Sequence, residues 1–392
     1  MYDYIIVGAG FYGSTFARVA TDLGKRCLVI EKRGHVAGAA YDTPFDNYYV
    51  SEYGAHIFHT NSKHIWDFVN KFTTMLPFVN KPKVKNGGKV YSFPINLMTL
   101  QQLYGINTPQ EAVKYLEEVR APFLNADKSN LEGWLKSIIG EDLYYKFYYH
   151  YTKKQWFKEP AELPASIARR VPIRLTFEEN YFTTPYQGIP DCGYTKLIQN
   201  MLDGIDVELG VDYLNGRDKF NSMGKRIIYT GPIDKFYQYH FGKLGFRSMM
   251  FTKEIFKGDM QGNAVMNYTD EHPTYLRSIE HHHFYSQSFK IKHYTNGQEN
   301  NEFRSCITYD QPLRMDDNAE PYYPLYDSMS QKCLESYQSL VTDKFVFGGR
   351  LGSYLYLDMD QSMAAAMQMV NRLENSKLTD CNKSVDISKC MI

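Results

Sequence analysis

The chain has 392 residues, enough to bury a large core divided among two or three lobes. Its 44 basic and 44 acidic residues cancel, which argues against a nucleic-acid binder and leaves anionic ligands to individually placed cations. No apolar run of about 18 residues is present, so no membrane span is expected, and six scattered cysteines without a CxxC pair predict free thiols in a reducing cytosol.

The first strand, Tyr4-Ile5-Ile6-Val7, begins almost at Met1, which predicts no signal peptide and a cytoplasmic protein. It runs into Gly8-Ala9-Gly10-Phe11-Tyr12-Gly13. Gly8 allows a tight turn, Gly10 leaves the backbone open to a pyrophosphate, and Gly13 lets the next helix pack on the strand. That helix carries Phe16, Val19, Ala20 and Leu23 on one stripe and ends at Gly24. Its free N–H groups would face phosphates. A second strand, Cys27–Ile30, closes on Glu31, an acid placed to take ribose hydroxyls and to disfavour a 2′-phosphate.

From about Pro109 to Tyr151 the pattern is helical, with Thr108 as cap and Pro109 in the first position. From Thr176 to about Tyr323 short β-rich pieces such as Val265–Tyr268 and Ser305–Tyr309 predict an antiparallel sheet. Val207–Val211 and Arg226–Tyr229 read as strands returning to the first domain. Near the end, Lys344–Phe347 meets Gly348-Gly349-Arg350 and a helix from about Asp360 to Arg372, with Met363, Ala366, Met367 and Val370 inward. A strand, two glycines and a helix suit the last pass of a flavin domain. His281-His282-His283 reads as a surface strand whose side chains alternate, so no metal is expected. Residues beyond about Leu378 read as a loose tail.

Several stretches carry a family likeness: Tyr53-Gly54-Ala55-His56-Ile57-Phe58-His59-Thr60, Tyr151-Thr152-Lys153-Lys154-Gln155-Trp156, Tyr186–Pro190, Gly193–Leu197, Tyr229–Asp234, Glu320–Pro324 and Phe347–Leu351. Together they are specific. Over roughly residues 1 to 373 the chain resembles the bacterial-type UDP-galactopyranose mutases. The resemblance implies an α/β protein: a Rossmann-like FAD-binding domain with an inserted helical domain and an antiparallel β-sheet domain. The FAD-binding domain would take residues 1–75, 193–235 and 336–376. The helical domain would take 76–175, the sheet domain 176–192 and 236–335, and the tail 377–392. The implied reaction interconverts UDP-galactopyranose and UDP-galactofuranose for galactofuranose-containing glycans. N5 of reduced FAD would attack the anomeric carbon as UDP leaves. NADPH or NADH would be the reductant and a homodimer the assembly.

The resemblance also assigns roles. Arg170, on a mobile lid, and Arg277 would hold the diphosphate as the glycosidic bond breaks, because a guanidinium grips phosphate oxygens and keeps its charge. Arg169 and Arg174 read as solvated surface charges. Tyr181, Tyr323 and Tyr356 would bond the diphosphate or line the sugar pocket, with Asn267 and Asp358 beside them. Tyr151 and Trp156 would hold the uridine, with Phe147 one turn earlier and Thr152 adding a polar contact. Gly8, Gly10, Gly13, Glu31, Lys32, Gly38, His56, Gly349 and Arg350 would bind the cofactor. Arg350 and His59 would also serve catalysis.

One segment and two single residues depart from the family pattern. His35-Val36-Ala37-Gly38-Ala39-Ala40-Tyr41 stands where two glycines and an asparagine are common, Asp310 where a glutamate often is, and Phe157 where a glycine is usual; a sugar-site role for Asp310 is not expected. Two other readings share the glycine turn: a flavin oxidoreductase of the amine-oxidase type, which has no use for a diphosphate clamp, and a non-catalytic FAD or nucleotide-sugar binding protein.

Overall fold

The computed structural model describes residues 1–167, 172–285, 294–295, 298–299, 303–314, 319–325 and 327–375. Arg169, Arg170 and the tail from 377 lie outside them.

Five parallel strands form one sheet in the order Asp206–Leu209, Cys27–Glu31, Tyr2–Val7, Gly224–Tyr229, Phe345–Phe347. Tyr2–Val7 is central, and Ile5 and Ile6 are fully buried, as both faces of a parallel sheet require. Helix Phe11–Asp22 packs on helix Met359–Asn375 through Phe16, Ala17 and Ala20 on one side and Met363, Ala366 and Val370 on the other. Leu23 leaves the expected stripe: it caps the helix and is exposed. The glycine turn is sterically compulsory. A Cβ on Gly13 would stand 1.9 Å from the Gly8 carbonyl oxygen, and one on Gly8, at φ +108°, 2.0 Å from Thr230 Oγ1.

A second sheet has seven strands in the order Tyr323–Pro324, Phe246–Lys257, Arg304–Leu313, Arg277–Glu280, Val265–Tyr268, Lys83–Asn86, Lys89–Ser92. It is antiparallel except that Val265–Tyr268 and Lys83–Asn86 run parallel. The Lys83–Ser92 hairpin comes from a stretch read as mainly helical. Gly87 and Gly88 both take positive φ between two β-rich pieces, a local hairpin signal that the surrounding helical periodicity obscured.

The helical lobe holds Pro109–Arg120, started by a Thr108/Glu111 capping box, and Leu131–Tyr144, which continues through a π turn, Tyr145–Tyr149, into His150–Trp156. Leu116, Leu131, Leu135, Ile139 and Leu143 fill its core. Phe157 ends the last helix at φ +51°, the left-handed conformation that explains why glycine suits this place.

Two further expectations differ from the structure. His281–Phe284 is a 3-10 turn, not a surface strand, and His281 and His282 are buried. Arg174 is not a solvated charge: its side chain is partly buried and donates to the Asn180 carbonyl at 2.6 Å. Among the described residues no helix is long and apolar enough to cross a membrane, and Cys27, Cys192, Cys306 and Cys333 are free thiols.

Candidate active site

Four separate segments bring cations and phenols together. Arg350 follows the Gly348-Gly349 turn, whose backbone lies against the ring of Tyr12 at the start of the first helix. Its guanidinium stands 5.0 Å from the centre of the Tyr356 ring, 5.7 Å from Tyr323 and 5.8 Å from Tyr322. One Nη is spent on the Leu357 carbonyl at 2.9 Å. Tyr323 and Tyr356 stack with centroids 5.3 Å apart, and Tyr322 donates to the Tyr53 carbonyl at 2.6 Å.

Arg277 opens the strand Arg277–Glu280 and faces this group. Its Nε donates to Asp310 on the neighbouring strand. Asp310 is 1% exposed while Arg277 keeps 30% exposure, so the pair is a buried acid holding a cation that reaches into open space. Asn267, its partner on the other side, donates to the Lys83 carbonyl at 3.1 Å.

Tyr151 shares the electrostatic neighbourhood of Arg277, Tyr181 and Tyr356. Burial pushes its phenol up to about 12 although Arg277 pulls the other way, and burial likewise takes Tyr322 to about 12. Both therefore remain hydrogen-bond donors at neutral pH. Trp156 lies one turn beyond, partly buried, with its Nε1 buried and unbonded. Phe147 is 2% exposed among Tyr91, Phe93 and the helical-lobe core, so its local role is packing. Thr152 is buried too. Tyr181 turns its ring edge-on to Phe182 at 4.9 Å.

The two histidines come from the segment around the strand Phe58–Thr60. His56 Nδ1 lies 2.8 Å from the Gly54 carbonyl, an acceptor only, so Nδ1 carries the proton. Burial lowers its pKa to about 4, and the charges of Arg350 and Arg277 act in the same direction. His59 stacks on Phe182 at 3.7 Å with Nε2 4.0 Å from Asp358. Burial pulls its pKa down against the opposing pull of Asp358 and Asp360.

The residues present fit a dinucleotide at the glycine turn. A Cβ on Gly10 would meet nothing nearer than the Gly38 Cα at 3.9 Å, so the backbone is open there. No side chain caps the following helix, which leaves its first N–H groups for an anion. Glu31 is 5% exposed and accepts the N–H groups of Ala9 and Arg33, each at 2.9 Å, so it also fastens the turn. Lys32, expected at the cofactor, pairs with Glu320 at 2.7 Å. Arg170 lies outside the described residues.

Sequence reasoning passed over three contributors. Asp310, for which no sugar-site role is expected, orients Arg277. Tyr322 falls inside the Glu320–Pro324 motif but carries no signal of its own. Arg247, 6% exposed, donates to the Trp156 carbonyl at 2.7 Å and lies 4.8 Å from the Phe157 ring, a contact that carries no local sequence signal.

Residues 146–356 match the family model of UDP-galactopyranose mutase, and residues 6–72 match that of an NAD(P)-binding Rossmann-like domain. A probable UDP-galactopyranose mutase of Klebsiella pneumoniae is 36% identical over 386 residues, 95% of each chain. The chain belongs to the UDP-galactopyranose mutase family. It is therefore an enzyme of an isomerase family, on an α/β fold with a Rossmann-like domain. A dTDP-fucopyranose mutase of Escherichia coli is 35% identical, covering 94% of this chain and 97% of that one. In fold, the chain is similar to the crystal structure of a reduced UDP-galactopyranose mutase, with TM-score 0.72 at 14% identity over 96% of this chain and 94% of the other.

Proposed function

We propose that the protein interconverts UDP-galactopyranose and UDP-galactofuranose, supplying galactofuranose for glycan synthesis, with FAD in its reduced form as resident cofactor. The observation that carries this reading is the pair of guanidiniums, Arg277 and Arg350, in one tyrosine-lined site joined through Gly348-Gly349 to the glycine turn. Such a pair suits a substrate that must lose a nucleoside diphosphate and take it back.

Gly8, Gly10, Gly13, Glu31, Gly38, His56 and Gly349 would hold the flavin. Bound and reduced, it supplies an electron-rich N5 for the anomeric carbon. The chain's own residues do the rest. Arg277, steadied by Asp310, draws off the charge that builds on the departing diphosphate. A role for Arg170 beside it rests on the family relationship. Tyr151, Tyr181, Tyr323 and Tyr356 donate to oxygens without adding charge. Trp156 offers its face to the uracil. Arg350 steadies negative charge beside the cofactor, and neutral His56 and His59 orient it or carry a proton. NADPH or NADH as reductant and a homodimeric state rest on the family relationship.

Near-equal identity to a dTDP-fucopyranose mutase favours one second reading, a dTDP-linked 6-deoxyhexose as substrate. An amine oxidase would not need the paired cations. The test is anaerobic: dithionite-reduced protein is given each nucleotide sugar and the products are separated. Equilibration of the UDP-galactose pair without stoichiometric loss of reductant supports the reading. Turnover of the dTDP-fucose pair alone would transfer the substrate assignment, and anaerobic reduction of the oxidised flavin by an amine, with neither sugar pair interconverted, would overturn it.

A further inference from the structure

A second cluster of chemically capable side chains lies in the seven-stranded sheet, at the far end of the strand that Arg277 opens. Glu280 closes that strand and is fully buried. The chain then tightens into a 3-10 turn. In a strand His282 and His283 would point to opposite faces, but in this turn both reach the same place. Asp259 arrives from the turn that links Phe246–Lys257 to Val265–Tyr268.

One potential ligand atom from each of Asp259, Glu280, His282 and His283 lies within 4.8 Å of all the others. His283 Nε2 is 3.1 Å from Asp259 Oδ1 and 3.7 Å from Glu280 Oε2. His282 Nε2 is 3.5 Å from Glu280 Oε1 and 4.0 Å from Asp259 Oδ1. Ligands about 2.0–2.1 Å from a tetrahedral ion stand about 3.3 Å apart, so the closest pairs already have that spacing and the widest must draw in by up to about 1.5 Å. We propose that Asp259, Glu280, His282 and His283 form a structural site for a divalent transition-metal ion of the zinc type.

Three features support it. The donor set, two imidazoles and two carboxylates, suits zinc and is poor for calcium or magnesium, which prefer oxygen alone. The carboxylates are already oriented by the backbone: Glu280 accepts the N–H groups of Met260 and Gln261 at 2.9 and 2.8 Å, and Asp259 that of Gly262 at 2.8 Å. Such outer bonds fix ligand orientation and strengthen the site. Aromatic rings flank one side, with the Phe303 ring edge-on to His282 at 4.9 Å and Tyr48 at 6.2 Å. Four protein ligands leave no open position, so the role is structural: the ion would clip the 258–264 turn to the end of the Arg277 strand. The rival occupant is a proton on His283, whose pKa rises to about 9 because Asp259 and Glu280 outweigh the effect of burial.

The test uses the full, untagged chain with its flavin. The protein is stripped with a chelator, dialysed against Zn2+, and assayed for bound metal by elemental analysis and by competition with a chromophoric chelator. We expect one zinc per chain, and ligand-field absorption of a tetrahedral ion when Co2+ replaces it. Asp259→Asn and His282→Gln should each weaken zinc binding about tenfold or more while retaining flavin, which reports folding. Asp259 is partly exposed, so its variant is the safer test of the two. No stoichiometric zinc in the wild type, or unchanged affinity in Asp259→Asn, would overturn the proposal in favour of a proton-linked ion-pair network.

Discussion

Arg277 and Asp310 face each other across two paired strands, and the arginine gives the aspartate its Nε rather than its terminal nitrogens. That division leaves the outer edge of the guanidinium for a ligand while the acid fixes its direction. Asp310→Asn keeps the shape and removes the charge. It should raise KM for the nucleotide sugar and lower kcat/KM about tenfold. Arg277→Ala should cost about 10²–10³ in kcat and roughly 3 kcal/mol of stability, because Asp310 is left buried and unpaired. Steady-state kinetics and urea unfolding of both variants check this. Wild-type activity in Arg277→Ala would remove that residue from the mechanism.

The glycine turn allows two substitutions to be told apart. Gly10→Ala has room and should fold normally while losing flavin affinity. Gly13→Ala drives a methyl to 1.9 Å from the Gly8 carbonyl oxygen and should fail to fold or melt much earlier. Circular dichroism and flavin content of the purified proteins separate these outcomes. Normal flavin content in Gly10→Ala would show that the cofactor does not approach that backbone.

Ala37 sits at φ +73°, where a Cβ costs on the order of 1–2 kcal/mol. Ala37→Gly relieves that strain but gives the unfolded chain more freedom. The net gain should be about 0.5–1 kcal/mol, read as a higher urea midpoint at unchanged slope. A loss of stability would mean that the methyl packs favourably against its neighbours.

His56 gives the fold a pH dependence of defined sign. Burial lowers its pKa from 6.5 to about 4, so the folded state holds it neutral where the unfolded chain would protonate it. Its contribution is complete above pH 6.5 and is lost as pH falls towards 4. The stability gap between wild type and His56→Asn should narrow by about 1–2 kcal/mol from pH 7 to pH 5. An unchanging gap would show that His56 titrates normally.

Features that depend on neighbouring residues were legible from the chain alone. Gly8, Gly10 and Gly13 had to form a tight turn because the required backbone angle and the close helix contact are local demands. Thr108 and Pro109 had to start a helix, and Met363, Ala366 and Val370 had to share a face, for the same reason. The convergence of side chains was decided by tertiary structure alone. Nothing near Asp310 shows that it grips Arg277, 33 positions away. Among 33 tyrosines, only the family likeness pointed to Tyr323 and Tyr356. The hairpin at 83–92 joined the sheet because the edge at Val265–Tyr268 was open to it. His282 and His283 reached one cluster because a strand tightened into a 3-10 turn. Short-range backbone preferences are written in adjacent letters; meetings between distant side chains follow from strand register, which the packed core imposes only once the chain has folded.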